Sequence, residues 1–316
     1  MAEDRSPPLP VPVLLVAGAL GAGKTTLINT LLGADHGLAL AVVVNDFGAL
    51  NIDAALLAAS GQPVYGLKNG CICCSLQGDL LRTLRTILSV GANPDAIVLE
   101  ASGVSDPRGI IAALLDPVLR EAVRLDAVVT VIDAEDHDPL DALWTAQVRA
   151  ADFLCLTKTA TLPAGDLAAL HARLAPLHKA LVFDADADSG IPLAVLFDRG
   201  RRHRDKPATG ERTVDDLPHI RDDRFVRLEW SSPTPISLPR FQAMIQALAP
   251  QLARAKGFLS VREHPEQALL FQLVGRRASL TPAGAPRGGT QLVFIGKAGL
   301  FDGARVTSAL ETITQA

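Results

Sequence analysis

Aromatic side chains are scarce here, at 4% of 316 residues, with a single tyrosine and two tryptophans. A core built from this chain must therefore be aliphatic, and a hydrophobic share of 48% supplies the material. A large excess of charge of either sign is also missing. The net charge is −4, which argues against a disordered polyelectrolyte and against a strongly basic nucleic-acid binder. No run approaches the ~18 uninterrupted apolar residues of a membrane span. Met1 to Pro12 lacks the basic start and apolar run of a signal peptide, so the expectation is a cytoplasmic chain with a short loose leader over residues 1–10. Cysteine is sparse too: four residues, three of them crowded into Cys71, Cys73 and Cys74. That crowding excludes a secreted disulfide scaffold and points to metal or redox chemistry.

What is present begins with a rhythm. Val11 to Ala17 is a continuous apolar run rich in β-branched residues, the pattern of a buried parallel strand. Thr25 to Leu32 reads as a helix and Ala39 to Val44 as a second strand. Asp79 to Leu88 has apolar residues at helical spacing. Ala96 to Leu99, Ala127 to Ile132 and Phe153 to Leu156 are further buried strands. Alternating strands and helices imply an α/β domain with a doubly wound, mostly parallel sheet over residues 11–197. The charged, aperiodic stretch from Asp198 to Arg224 reads as a linker, 198–223. Beyond it the pattern becomes that of a smaller α+β domain, 224–316. It holds a strand from Arg224 to Glu229, an amphipathic helix from Leu238 to Lys256, strands at Phe258 to Val261, Ala268 to Val274 and Gln291 to Ile295, and a final helix from Val306 to Ile313.

Between the first strand and the first helix lies Gly18-Ala19-Leu20-Gly21-Ala22-Gly23-Lys24-Thr25. This is the G-x-x-x-x-G-K-[ST] phosphate loop in its required context. Its glycines let backbone N–H groups curl around phosphate oxygens, and the helix N-terminus adds a positive end. Lys24 is placed to reach the β- and γ-phosphates, Thr25 to ligate Mg²⁺, and Thr26 follows in the first helical turn. Two acids are candidates to complete the site. Asp46 follows the second strand, and Glu100 ends the strand that starts at Ala96. Both belong at carboxyl ends of parallel strands, where ligands bind in open α/β sheets. There a carboxylate holds Mg²⁺ or orients the attacking water. Gly103 is placed to offer an N–H to the γ-phosphate, making Glu100 to Pro107 a switch segment.

In Gly70-Cys71-Ile72-Cys73-Cys74-Ser75, thiolates suit soft or borderline ions such as Zn²⁺ or Cu(I). In an extended segment Cys71 and Cys73 face one way and Cys74 the other, so all three converge only if the backbone turns. A tetrahedral ion would want a fourth ligand: Asp46, a remote histidine or water. Packing beside the nucleotide and a redox pair are the alternatives. Cys155, inside an apolar run, reads as a core thiol.

The phosphate loop, Val44-Asn45-Asp46-Phe47-Gly48 with Ile52-Asp53, Gly70 to Cys74, and Glu100-Ala101-Ser102-Gly103 with Asp106-Pro107 together resemble the CobW-type metal-chaperone GTPases. Lys256-Gly257-Phe258 and the strand Ala268 to Gly275 extend the resemblance to the second domain. It implies GTP and Mg²⁺ at the phosphate loop. It also implies a metal, often Zn²⁺ and in some members Co²⁺, at the cysteine motif with Asp46. Hydrolysis would then alter metal affinity, and the cargo would pass to a client metalloprotein or metal-insertion enzyme. No nucleic-acid or membrane partner is expected, and a homodimer is compatible with the reading. A P-loop ATPase or kinase with structural cysteines, and a metal-binding regulator with vestigial hydrolysis, are the competing readings.

Three departures from the family pattern matter. Asp46 stands where a glutamate is usual, and Ala49 where a second glutamate is frequent. Thr157-Lys158-Thr159-Ala160 occupies the guanine-reading segment, so Thr157 and Lys158 can flank the base, but Ala160 lacks the carboxylate that pairs with it. Each unpaired donor on the base costs roughly 1–3 kcal/mol, which leaves guanine preference relaxed unless another acceptor such as Asp166 substitutes. The linker is poor in histidine, holding only His203 and His219.

Overall fold

The computed structural model describes residues 10–34, 36–44, 64–66, 76–89, 94–119, 122–137, 140–177, 179, 181–187, 190–197, 224–275, 277–286 and 288–315. Asp46, Cys71, Cys73 and Cys74, the leader 1–9 and the stretch 198–223 lie outside the described residues. The chain divides into two compact units.

The first unit is built on strands β1 (Val11–Gly18), β2 (Leu40–Val44), β3 (Val64–Gly66), β4 (Ala96–Glu100), β5 (Val123–Asp133), β6 (Phe153–Thr157) and β7 (Leu181–Asp184). They form one seven-stranded sheet in the order β3-β2-β4-β1-β5-β6-β7. β1 pairs in parallel with both β4 and β5, β2 with β3 and β4, and β5 with β6. Helices α1 (Lys24–Gly33), α2 (Leu76–Ser89), α3 (Pro107–Leu114), α4 (Ala142–Ala150) and α5 (Ala164–Leu174) lie between them in the chain, and the short α6 (Leu193–Leu196) follows β7. Every residue of β1 is buried, as expected of a strand covered on both faces. Val13, Leu15 and Ala17 share a core with Leu80, Leu84 and Ile87 of α2 and with Ile110, Ala113 and Leu114 of α3. Val148, Leu170 and Leu174 close a smaller core against β5 and β6. The chain order reverses around β1, whose neighbours are β4 and β5, so a crevice opens at the carboxyl end of β1, where ligands sit in such sheets.

The second unit carries β8 (Phe225–Ser232), β9 (Leu252–Ser260), β10 (Ala268–Val274), β11 (Arg277–Pro282) and β12 (Thr290–Lys297), with α7 (Leu238–Leu248) and α8 (Gly303–Gln315). The sheet runs β11-β10-β9-β12-β8 with antiparallel pairs. Its core joins Phe241 and Ile245 of α7 and Val306 and Leu310 of α8 to Leu259, Phe271 and Phe294 of the sheet. The rings of Phe241 and Phe271 meet edge to face at 4.9 Å.

The helix expected over Leu238 to Lys256 stops eight residues short of Lys256 in the structure. It ends at Leu248, a short 3₁₀ turn containing Pro250 follows, and Leu252 already belongs to β9. Proline lacks an N–H and clashes with the preceding turn, so the α-helix cannot run through it. Ala253, Arg254, Ala255 and Lys256 are good helix formers that pairing with β10 and β12 draws into a strand. Among the described residues, no helix is long and apolar enough to cross a membrane.

Candidate nucleotide site

β1 delivers the chain into the phosphate loop and α1 takes it out. The turn is sharp because Gly23 adopts φ 93°, ψ 21° immediately before Lys24, a left-handed conformation that costs glycine nothing. Among the described residues no side chain caps α1, and its first turn holds no acidic residue. Its first N–H groups therefore point into the crevice as a ready anion cradle. The ammonium of Lys24 is folded onto the carbonyl of Ala19 at 2.8 Å, and the residue as a whole is buried. Thr26, by contrast, is exposed on the first turn.

Beside the loop, β4 sets Glu100 in register with Val16 of β1 and Val44 of β2. The hydroxyl of Thr25 donates to Oε1 of Glu100 at 3.0 Å across 75 residues of sequence. Glu100 is 4% exposed. A hydroxyl and a buried carboxylate in contact beside a phosphate cradle are hard oxygen donors of the kind Mg²⁺ takes. β2 ends at Val44, next to Glu100, two residues before Asp46.

The segment after Glu100 is held from two sides. Gly103 lies against the phosphate loop so closely that an added Cβ would sit 2.6 Å from the Leu20 nitrogen. Gln147 of α4 donates from Nε2 to the carbonyls of Gly103 and Ser105, each at 3.3 Å. Its Oε1 is buried with no hydrogen-bond partner among the described residues. Thr130 of β5 pins the Gln147 carbonyl at 2.8 Å. Nothing in sequence announces Gln147: its partners lie more than 40 residues away, on a helix whose pattern is weak.

At the other end of the crevice, Thr157 closes β6. Its hydroxyl donates to the carbonyls of Ala22 and Ile132 at 2.8 and 3.2 Å, tying the strand end to the phosphate loop. Lys158 has φ 55°, the single positive φ outside glycine among the described residues. Its ammonium pairs with the Asp133 carboxylate, and that bond holds the lysine above its ordinary pKa. Thr159 is buried. Its hydroxyl donates to Asp184 at 2.7 Å and its N–H to Oδ2 of Asp186 at 3.0 Å. Ala160 is exposed next to them. Asp166 sits exposed in the first turn of α5, with no contact to this segment among those described.

The structure thus gathers Gly18, Gly21, Ala22, Gly23, Lys24, Thr25, Glu100 and Gly103 around one loop, with Thr157 joined to it and Lys158 adjacent. A family model described as CobW/HypB/UreG, nucleotide-binding domain, matches residues 12–183, and one described as the cobalamin synthesis protein cobW C-terminal domain matches residues 225–314. The chain belongs to the CobW/HypB/UreG family. The CobW-type relatives are similar along nearly their whole length. A zinc chaperone CobW of a Sinorhizobium species is 31% identical, with 90% of this chain and 92% of the relative covered. A zinc chaperone YjiA of Escherichia coli is 31% identical over 91% of this chain and 94% of its own. The crystal structure of Zn(II)-bound YjiA GTPase from E. coli is 26% identical, covers 96% of this chain and 99% of its own, and superposes with a TM-score of 0.47. Among the described residues, no group of three or more histidine, cysteine, aspartate or glutamate side chains is placed to hold a metal.

Proposed function

We propose that this protein is a GTP-hydrolysing metallochaperone that carries Zn²⁺ on Cys71, Cys73 and Cys74 with Asp46 and delivers it to a client metalloprotein. The observation that carries the nucleotide half is the contact between Thr25 and Glu100 beside an uncapped helix N-terminus and Lys24. Such an arrangement binds a triphosphate. The N–H groups of the loop and of α1 cradle phosphate oxygens, and Lys24 exchanges the Ala19 carbonyl for a phosphate oxygen. Thr25 and Glu100 would hold Mg²⁺, which would neutralise charge on the phosphates. Glu100 is buried against the loop, where it orients what approaches the γ-phosphate. Gly103, pressed on Leu20, presents its backbone to the same place.

The metal half is supported by relatives named zinc chaperones that match over nine-tenths of the chain and by the ligand chemistry of three thiols in four residues. Zn²⁺ is cargo in this reading, with Co²⁺ the alternative ion. Because the cysteine motif lies between β2 and β4, the strands that carry the chain to Glu100, ligation there and occupancy of the nucleotide site share one stretch of chain.

Calorimetry on the purified protein tests both halves. Lys24→Ala is expected to abolish tight triphosphate binding, and the pair Cys73→Ser, Cys74→Ser to abolish stoichiometric Zn²⁺ binding. Unchanged GTP affinity in the first variant would remove the phosphate-loop assignment. Unchanged Zn²⁺ binding in the second would remove the cysteine assignment. Ala160 favours one competing reading, an ATP-using P-loop enzyme. Release of phosphate from GTP to water, with no transfer to a small acceptor, separates the two.

A further inference from the structure

The base end of the site holds a contradiction that the fold resolves. Guanine offers two donors on one edge, N1–H and the 2-amino group, and needs a carboxylate opposite them. Ala160 provides none. Five carboxylates lie near the end of β6: Asp133, Glu135, Asp136, Asp184 and Asp186. Asp133 holds the Lys158 ammonium and accepts from the backbone of Glu135 and Asp136 at 3.0 and 3.2 Å. Glu135 accepts from the Thr161 hydroxyl, and Asp136 is exposed beside Lys158 with no hydrogen bond to residues 157–160 among the described residues. Asp184 takes the Thr159 hydroxyl on both oxygens and the Asp186 N–H at 2.9 Å. Among the described residues, the Asp186 carboxylate alone of the five is hydrogen-bonded to the backbone of the 157–160 segment. Its Oδ2 accepts the Thr159 N–H at 3.0 Å, which fixes the carboxylate one residue from Ala160. The side chain is otherwise exposed, and Oδ1 has no partner among the described residues.

We propose that Asp186 reads the guanine edge in this chain, taking the role that a carboxylate at position 160 would fill. The inference rests on the nucleotide site proposed above and adds its base specificity. A carboxylate accepts about four hydrogen bonds, so Oδ2 can keep Thr159 and still share the base with Oδ1. The same group discriminates against adenine, whose N1 presents a lone pair to the carboxylate instead of a proton. Asp184 supports it by fixing both Thr159 and the Asp186 backbone.

The test is competition of GTP, ATP and xanthosine triphosphate against a fluorescent GTP analogue on the full chain. Asp186→Asn keeps an oxygen for the Thr159 N–H but turns one acceptor into a donor. It is expected to lose about 10-fold to 100-fold in GTP affinity, as leaving guanine donors unpaired implies, and to gain for xanthosine triphosphate, whose C2 carbonyl accepts from the new amide. Ala160→Asp in the parent is expected to change the GTP to ATP ratio by less than about 3-fold, because a second acceptor adds little where the donors are already paired. In an Asp186→Ala background the same change restores the preference. An Asp186→Asn protein with the parent order of affinities, or a large gain from Ala160→Asp alone, would overturn the proposal. So would a parent protein that binds GTP and ATP equally, which leaves the phosphate site standing. Failure to bind any triphosphate would sink the nucleotide reading itself.

Discussion

Lys24 holds the Ala19 carbonyl, and Thr25 holds Glu100, across the mouth of the same loop. Under the proposed function, a Mg²⁺-bound triphosphate would take over both contacts. Glu100→Gln removes a charge that Mg²⁺ and the hydrolytic transition state would use, and it keeps the size of the side chain. The expected outcome is a fall of about 10²-fold or more in Mg²⁺-dependent hydrolysis, with triphosphate affinity measured in EDTA little changed. A steady-state phosphate-release assay beside an EDTA titration checks it. The lone thiol of β6 is predicted to be inert. Burial first, then the negative charges of Asp184 and Asp186, push the Cys155 thiol far above its ordinary pKa, so little thiolate forms near neutrality. Alkylation of the native protein followed by peptide mapping should leave Cys155 unmodified and reach it only after denaturation. Lys24, Thr25 and Glu100 were legible because motif spacing or a strand end fixes where they go. The contacts of Gln147 and the role proposed for Asp186 were not, because they arise between strands and helices remote in sequence.

At the scale of the element, α3 is the clearest case of a helix start written locally. Asp106 caps it by accepting from the Arg108 N–H at 2.9 Å, and Pro107 occupies the first turn. The Arg108 guanidinium bonds to the same carboxylate at 2.5 Å and holds it below its ordinary pKa. Asp106→Ala should cost about 1 kcal/mol, the usual worth of such a cap, seen as a lower denaturant midpoint. The sign of the pH dependence follows from the depressed pKa. The stabilisation is complete above the ordinary carboxylate pKa and is lost as the pH falls through the folded value, so parent and variant should converge in acid. No helix was expected here from the sequence, because eight residues carry too little periodicity, although aspartate before proline is a pattern that starts helices. Leu252 to Lys256 shows the opposite case. Its residues favour a helix, and only the pairing of β9 with β10 and β12 makes it a strand. β1, β2, β4, β5 and β6 were legible because parallel strands buried on both faces are continuous apolar runs. β7, whose ends are half-buried, and the three-residue β3 carry too little pattern to be seen.

For the whole molecule, the proposed function couples a phosphate site at the carboxyl end of β1 to a proposed cargo site on the chain between β2 and β4. The seven-stranded sheet and the separate five-stranded sheet provide the frame, and two family models cover both. If nucleotide and metal act on one another, thermodynamics requires the effect to be mutual: the factor by which GTP changes Zn²⁺ affinity must equal the factor by which Zn²⁺ changes GTP affinity. A coupling of typical size, about 1–3 kcal/mol, corresponds to a factor of roughly 5 to 150. The most direct measurement is a closed cycle of four affinities by calorimetry with Mg²⁺ present: Zn²⁺ with and without a non-hydrolysable GTP analogue, and the analogue with and without Zn²⁺. The account predicts equal factors on the two sides, both clearly different from one, and both returning to one in Cys73→Ser, Cys74→Ser. A parent protein in which both ligands bind and both factors equal one would contradict it.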